Sequence, residues 1–182
     1  METLDALGLA FEHTGRVVGG VTADQLGAAT PCTEWEVRTL LSHMLAVMAN
    51  CGRAARGEAL VPGTALLEED FAGQFAAEAG RTLAGWRACP ADGMVDIGAG
   101  PMPVAAAMGI NLLDTSIHGW DVARATGQDG TLPPELATTL LTIGPSIVTD
   151  ELRAYAGFNP PVALAADAGP TDQLVAFLGR RP

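Results

Sequence analysis

The chain is short of positive charge: 10 Lys and Arg stand against 21 Asp and Glu, for a formal net charge of −11. Nucleic acids and anionic membranes are bound through basic patches, so neither is an expected partner. The acidity itself reads as a solvated surface and names no partner. Long apolar runs are lacking as well. No window holds about 18 uninterrupted apolar residues, which excludes an expected transmembrane helix. The opening METLDALG has neither a basic segment nor a cleavable apolar core, so no secretory signal is expected. Cysteine is sparse: Cys32, Cys51 and Cys89 are odd in number, widely spaced, and form no C-x-x-C. That spacing argues against a zinc knuckle or a redox dithiol and fits a reducing cytoplasm, the expected location. Internal repeats and low-complexity tracts are also absent.

What is present is apolar and helical. With 182 residues, 48% hydrophobic content and a mean hydropathy of +0.25, the chain can bury a real core and is not expected to be disordered. One domain over 1–182 is expected. Leu4, Leu7, Phe11 and Val18 recur at helical spacing, which predicts a first helix over about Glu2 to Val18, ended by Gly19-Gly20. Thr33 to Glu36 reads as a capping box that opens a second helix running to about Arg56, with Gly57 as its stop. A third helix is predicted from about Leu66 to Ala88, with Leu67, Phe71, Phe75, Leu83 and Trp86 on one side. Met94 to Ile97 alternates like a short extended piece. Pro103 reads as the first residue of a fourth helix to about Ala125, broken by Gly127 and Gly130. Pro133-Pro134-Glu135 opens a fifth helix to about Val148. Residues from Phe158 to Gly169 read as loop, and Pro170 or Thr171 begins a last short helix. The class is all-α, a four-helix bundle with short extra helices.

The fourth helix carries a polar stripe. At about 100° per residue, Asn111, Asp114, His118 and Asp121 share one sector, with Leu113, Ile117 and Trp120 on one flank and Val104, Met108 and Val122 on the other. A solvated stripe is ordinarily wider and includes Lys or Arg, but the first basic side chain here is Arg124. Buried carboxylates cost several kcal/mol each unless compensated. A divalent metal is one compensating partner, since Asp and His at i and i+4 reach a single ion from one helix face. A hydrogen-bonded core network is the other, and spacing alone leaves both open.

A third ligand is sought among the two remaining histidines. His43, in SHMLAVM, sits at the edge of the arc of Leu40, Met44, Val47 and Met48 and points near the core. Facing helices build metal sites in bundles, and three protein ligands leave positions open for water or substrate. A lone histidine at a core edge is otherwise an ordinary satisfied residue. His13 reads as exposed or peripheral. Trp35 and Trp120 read as core residues or as pocket walls. Cys32 lies just before a helix start, where a dipole lowers a thiol pKa, but Pro-Cys before a capping box is more simply a packed turn.

These residues carry a resemblance. Thr30-Pro31-Cys32-x-x-Trp35-x-Val37-Arg38-x-Leu40-Leu41-x-His43 resembles the helix-two signature of actinobacterial proteins related to mycothiol-dependent maleylpyruvate isomerase. His118-Gly119-Trp120-Asp121-Val122-Ala123-Arg124-Ala125-Thr126-Gly127 resembles their second signature, H-x-W-D-[LV]-A-x-A-T-G, and Leu178-Gly179-Arg180-Arg181-Pro182 resembles the ending of a subgroup. The resemblance implies a DinB/YfiT-like metalloenzyme fold. It also implies a divalent metal, zinc first and nickel second, held by His43, Asp114 and His118. Asp114 stands where the isomerase carries Glu, one methylene longer, so ligation is direct or through a water. The isomerase also has a C-terminal domain beyond the bundle, which 182 residues leave no length to hold.

The implied activity is a metal-dependent, mycothiol-dependent transfer or isomerisation of a small-molecule substrate. The alternative is a non-catalytic metal- or ligand-binding bundle acting as a sensor or stress protein. A metal-free helical dimer with a structural polar stripe is a third reading. The metal would activate a thiol or a water. Asp121 would orient His118. Trp120 and Arg124 are the expected cofactor contacts, with an Arg124–Asp121 pair as the simpler role for the arginine. A homodimer through helix faces is expected.

Overall fold

A computed structural model describes residues 1–32, 35–155 and 158–182, and of residues 151, 154 and 155 the backbone only. The described chain runs α1 (Thr3–Gly19), a 3-10 turn (Ala23–Gln25), α2 (Val37–Ala55), α3 (Phe71–Ala88), β1 (Met94–Asp96), β2 (Pro101–Pro103), α4 (Val104–Thr126), α5 (Pro134–Ile147), α6 (Asp150–Tyr155) and α7 (Pro170–Phe177). The class is all-α, with one short antiparallel ribbon in which Val95 pairs with Met102. No described helix is long and apolar enough to cross a membrane. The chain divides into two compact units, Glu2–Gly130 and Thr131–Pro182, the latter taking in Met1.

The larger unit is a four-helix bundle. α1 packs on α4 and α3, and α2 packs on α3 and α4. The core comes from the apolar faces the spacing predicts: Leu7, Phe11, Val17 and Val18 of α1, Leu40, Leu41, Met44 and Met48 of α2, Phe75 and Trp86 of α3. α4 is buried on most of its circumference, through Val104, Leu112, Leu113, Ile117, Trp120 and Val122. Two contacts bring helices close. A Cβ at Gly119 would fall 2.5 Å from Thr14 Oγ1, and Thr14 donates to the Thr115 carbonyl at 3.2 Å across the α1–α4 seam. A Cβ at Gly52 would fall 2.7 Å from Thr82 Oγ1, and Thr82 donates to the Met48 carbonyl at 2.9 Å across the α2–α3 seam. Hydrogen at these two glycine positions is what lets α4 and α2 sit deep in the bundle.

Several boundaries differ from the expected ones, each for a local reason. α2 begins at Val37, not after Thr33. Glu36 is extended and bridges Ala29, and the free amides of Val37 and Arg38 donate to the carbonyls of Ala28 and Leu26, both at 2.9 Å. Backbone thus does what the expected capping box would do. Thr33 itself lies outside the described residues. α3 begins at Phe71, not Leu66, because Asp70 caps it by accepting from the Gly73 amide at 2.9 Å. Leu66 is left 84% exposed. Pro103 is extended at the end of β2, so it precedes α4 instead of starting it. The end of α4 is as expected. Gly127 takes φ +72°, and the Gln128 amide reaches back to the Ala123 carbonyl at 2.8 Å, a Schellman closure.

In the smaller unit α5 packs on α7, with Leu136, Leu140, Leu174 and Val175 wholly buried. Prolines stand in the first turn of both helices, where no amide donor is needed. Of the terminal Leu-Gly-Arg-Arg-Pro, Leu178 and Arg180 are buried and Arg181 and Pro182 are exposed. The Arg180 guanidinium donates to the Leu178 carbonyl at 3.0 Å and stands 5.5 Å from the centre of the Phe158 ring.

Candidate metal centre

α2 and α4 bring three of the expected side chains together. His43 Nε2 lies 3.2 Å from Asp114 Oδ1, and His118 Nε2 lies 3.6 Å from the same oxygen. One donor atom from each of the three falls within 4.8 Å of the others. The two imidazoles meet edge to face, with ring centres 5.2 Å apart. A tetrahedral ion with bonds near 2.0–2.1 Å sets its ligand atoms about 3.3 Å apart, so the observed 3.2 and 3.6 Å already match a coordination shell. Asp114, one methylene shorter than Glu, reaches both rings from its place on α4. The donor set fits a divalent metal of the zinc type.

The remaining parts of the stripe orient the first. Asp121 is fully buried, and its Oδ2 lies 3.0 Å from His118 Nδ1. A carboxylate there accepts the Nδ1 proton, which fixes the tautomer and leaves the Nε2 lone pair facing Asp114. Asn111 is also fully buried, and its Oδ1 accepts from Trp86 Nε1 at 3.1 Å, which ties α4 to α3 below the site.

A turn ahead of α2 covers the two histidines. Thr30 Oγ1 donates to the Trp35 carbonyl at 2.9 Å, the Cys32 amide donates back to Thr30 Oγ1 at 3.2 Å, and the Trp35 amide donates to the Cys32 carbonyl at 3.1 Å. With these bonds made, the Trp35 ring stands 4.7 Å from His43 and 6.2 Å from His118. It also brings Cys32 into a second group: one donor atom each from Cys32, His118 and Asp121 lie within 4.8 Å of one another. Trp35 is therefore a wall of the site. The sequence offered only the T-P-C-x-x-W spacing for this, because the fold-back onto α4 is non-local.

Charge and burial act differently on the neighbouring groups. Burial pulls the His43 imidazole down, but the hydrogen bond to Asp114 and the charge of that carboxylate outweigh it, and the net shift is upward. Burial pushes the Cys51 thiol far up, and the Asp114 charge adds to it, so Cys51 stays protonated and makes a poor ligand.

One expectation differs in the structure. His13, expected to be exposed or peripheral, is 3% exposed on α1, because the close α1–α4 seam widens the buried arc of that helix. Burial and the Arg16 charge lower its pKa against a smaller opposing pull from Asp129. Trp120 is buried, and a Cβ at Gly130 would lie 3.0 Å from its ring. The exposed Arg124 guanidinium stands 5.6 Å from the centre of that same ring. The two expected cofactor contacts thus pair with each other.

A family model described as "Mycothiol maleylpyruvate isomerase N-terminal domain" matches residues 7–123. Two proteins from Mycobacterium tuberculosis strains, "Uncharacterized protein MT0763" and "Uncharacterized protein Rv0738", are each 31% identical over 192 residues, spanning 99% of this chain and 98% of their own. The crystal structure of the mycothiol-dependent maleylpyruvate isomerase is similar at a TM-score of 0.56 with 15% identity, over 75% of this chain and 65% of that one. A mutant of that enzyme gives a TM-score of 0.54 over the same shares. At this identity the structural likeness is one of fold, the DinB/YfiT-like bundle, and the chain spans about 65% of the isomerase's length. With its family model covering the bundle and full-length relatives above 30% identity, the chain belongs to the mycothiol maleylpyruvate isomerase N-terminal domain family.

Proposed function

We propose that the protein holds one divalent metal, zinc foremost, on His43, Asp114 and His118, and uses mycothiol as a thiol cofactor to transfer or isomerise a small electrophilic substrate. The observation that carries this is the meeting of two imidazole Nε2 atoms from different helices on a single carboxylate oxygen, at 3.2 and 3.6 Å. Family membership supports the thiol cofactor. When bound, the ion supplies a Lewis acid that lowers the pKa of a coordinated thiol or water. The chain's own residues do the rest. His43 and His118 give two neutral nitrogens and Asp114 one negative oxygen, leaving a coordination position for a sulfur or oxygen ligand. Asp121 keeps the His118 proton on Nδ1. Trp35 keeps water off one side of the two rings.

The test is metal analysis of untagged protein, followed by assays of maleylpyruvate isomerisation and of thiol conjugation with and without mycothiol. The expected result is one ion per chain and turnover that needs both the ion and mycothiol. A metal-loaded protein inactive across maleylpyruvate and a broad electrophile panel would overturn the catalytic part and leave a metal-binding sensor.

A further inference from the structure

Cys32, His118 and Asp121 form a donor set distinct from the one above, although they share the His118 ring. The His118 ring has one nitrogen on each side for them. Nε2 faces Asp114 at 3.6 Å, and Nδ1 faces Asp121 at 3.0 Å. Asp121 is fully buried, His118 is 8% exposed, and the Cys32 thiol comes from a turn whose backbone is pinned at both its amide and its carbonyl. Sulfur, imidazole and carboxylate together are a ligand combination for thiophilic divalent ions such as Zn²⁺, Co²⁺ and Cd²⁺. In a tetrahedral shell the N···O separation is about 3.3 Å and the S···N separation about 3.6 Å. The Asp121–His118 pair at 3.0 Å is already close to this. The sulfur lies within 4.8 Å of both partner atoms, and rotation about its single side-chain bond supplies the remaining contraction.

We infer that Cys32, His118 Nδ1 and Asp121 are a second, thiolate-containing metal seat, exclusive with the first. Filling it releases the Cys32 thiol proton to solvent and moves the His118 proton from Nδ1 to Nε2, where it can be donated to Asp114. That move takes away the lone pair the first seat needs. A neutral imidazole has one free lone pair, so it serves one seat at a time. The inference does not depend on the thiol-transfer chemistry proposed above.

The decisive protein is His43→Ala, which breaks the first seat alone. Co²⁺ added to the metal-free variant is expected to give a near-ultraviolet thiolate-to-cobalt charge-transfer band saturating at one ion per chain. Adding Cys32→Ser to that variant should abolish the band, and adding Cys51→Ser should leave it. Cd²⁺ should raise the melting temperature of His43→Ala and not that of the double variant with Cys32→Ser, with circular dichroism confirming that both are folded. In the wild-type chain, one equivalent of Zn²⁺ added beforehand should suppress the cobalt band. No band in folded His43→Ala, or a band that survives Cys32→Ser, overturns the seat. A full cobalt band on top of retained zinc overturns the exclusivity.

Discussion

Two histidines in the same bundle are buried to nearly the same degree and live in opposite circumstances. His118 on α4 is 8% exposed, and both its ring nitrogens face carboxylates, Asp121 at 3.0 Å and Asp114 at 3.6 Å. His13 on α1 is 3% exposed, its Nδ1 accepts from the Arg16 guanidinium at 3.1 Å, and its Nε2 has no hydrogen-bond partner among the described residues. A buried imidazole becomes a candidate ligand when its surroundings supply negative charge and fix one tautomer. Beside an arginine it becomes a neutral group whose protonation is opposed. Burial alone does not separate the two, and the partners do.

The largest effect expected from this contrast is on metal binding. His118→Ala should abolish stoichiometric zinc binding, while His13→Leu should leave it unchanged, as read by metal analysis of untagged protein. Equal loss in both would show that the ion depends on the bundle's integrity and not on the Asp114 cluster. Next comes the group behind His118. Asp121→Asn keeps the shape but weakens the acceptor for the Nδ1 proton, and should lower zinc affinity about 10- to 100-fold in competition with a chelator. An unchanged affinity would mean that Asp121 does not set the tautomer.

The seam between the two histidines' helices gives the third prediction. Gly119→Ala forces a methyl toward Thr14 Oγ1, 2.5 Å from the ideal Cβ, and should destabilise the fold by about 1–3 kcal/mol in chemical unfolding. A neutral substitution would show that α1 can move away from α4 without cost. The smallest effect is in pH dependence. His13 has its folded pKa lowered from 6.5, so below that pH the unfolded chain takes up a proton the folded chain resists. Stability contributed by the neutral ring is complete above pH 6.5 and is lost as pH falls below it, at no more than about 1.4 kcal/mol per pH unit for one proton. His13→Leu should flatten the metal-free protein's stability profile in that window relative to wild type. An identical slope in both would assign the proton uptake elsewhere.

Much of the site was legible in the sequence because it is written in helical periodicity. Asn111, Asp114, His118 and Asp121 share a face at fixed rotation, so their clustering follows from α4 being a helix. His43 was placed near the core by the same rule applied to α2. What periodicity does not give is where loops go. The T-P-C-x-x-W turn reaches the histidines because backbone bonds at Thr30, Cys32 and Trp35 close it over α4, and no local spacing encodes that landing. The start of α2 was hidden for a similar reason, since the carbonyls of Leu26 and Ala28 replace a side-chain cap. The strand at Pro101–Pro103 was hidden because two prolines leave Met102 as the strand's one amide donor, so the ribbon shows only through its partner, Val95. His13 was misplaced because small residues on both sides of the seam bring α4 closer to α1 than apolar spacing alone suggests.

Whether one ion sits on side chains from α2 and α4 can be read from X-ray absorption at the zinc edge of protein loaded with one equivalent. The expected spectrum has a nitrogen and oxygen shell at about 2.0–2.1 Å with the outer scattering of two imidazoles, reduced to one imidazole in His43→Ala. A wild-type spectrum with a single imidazole, or none, would contradict it.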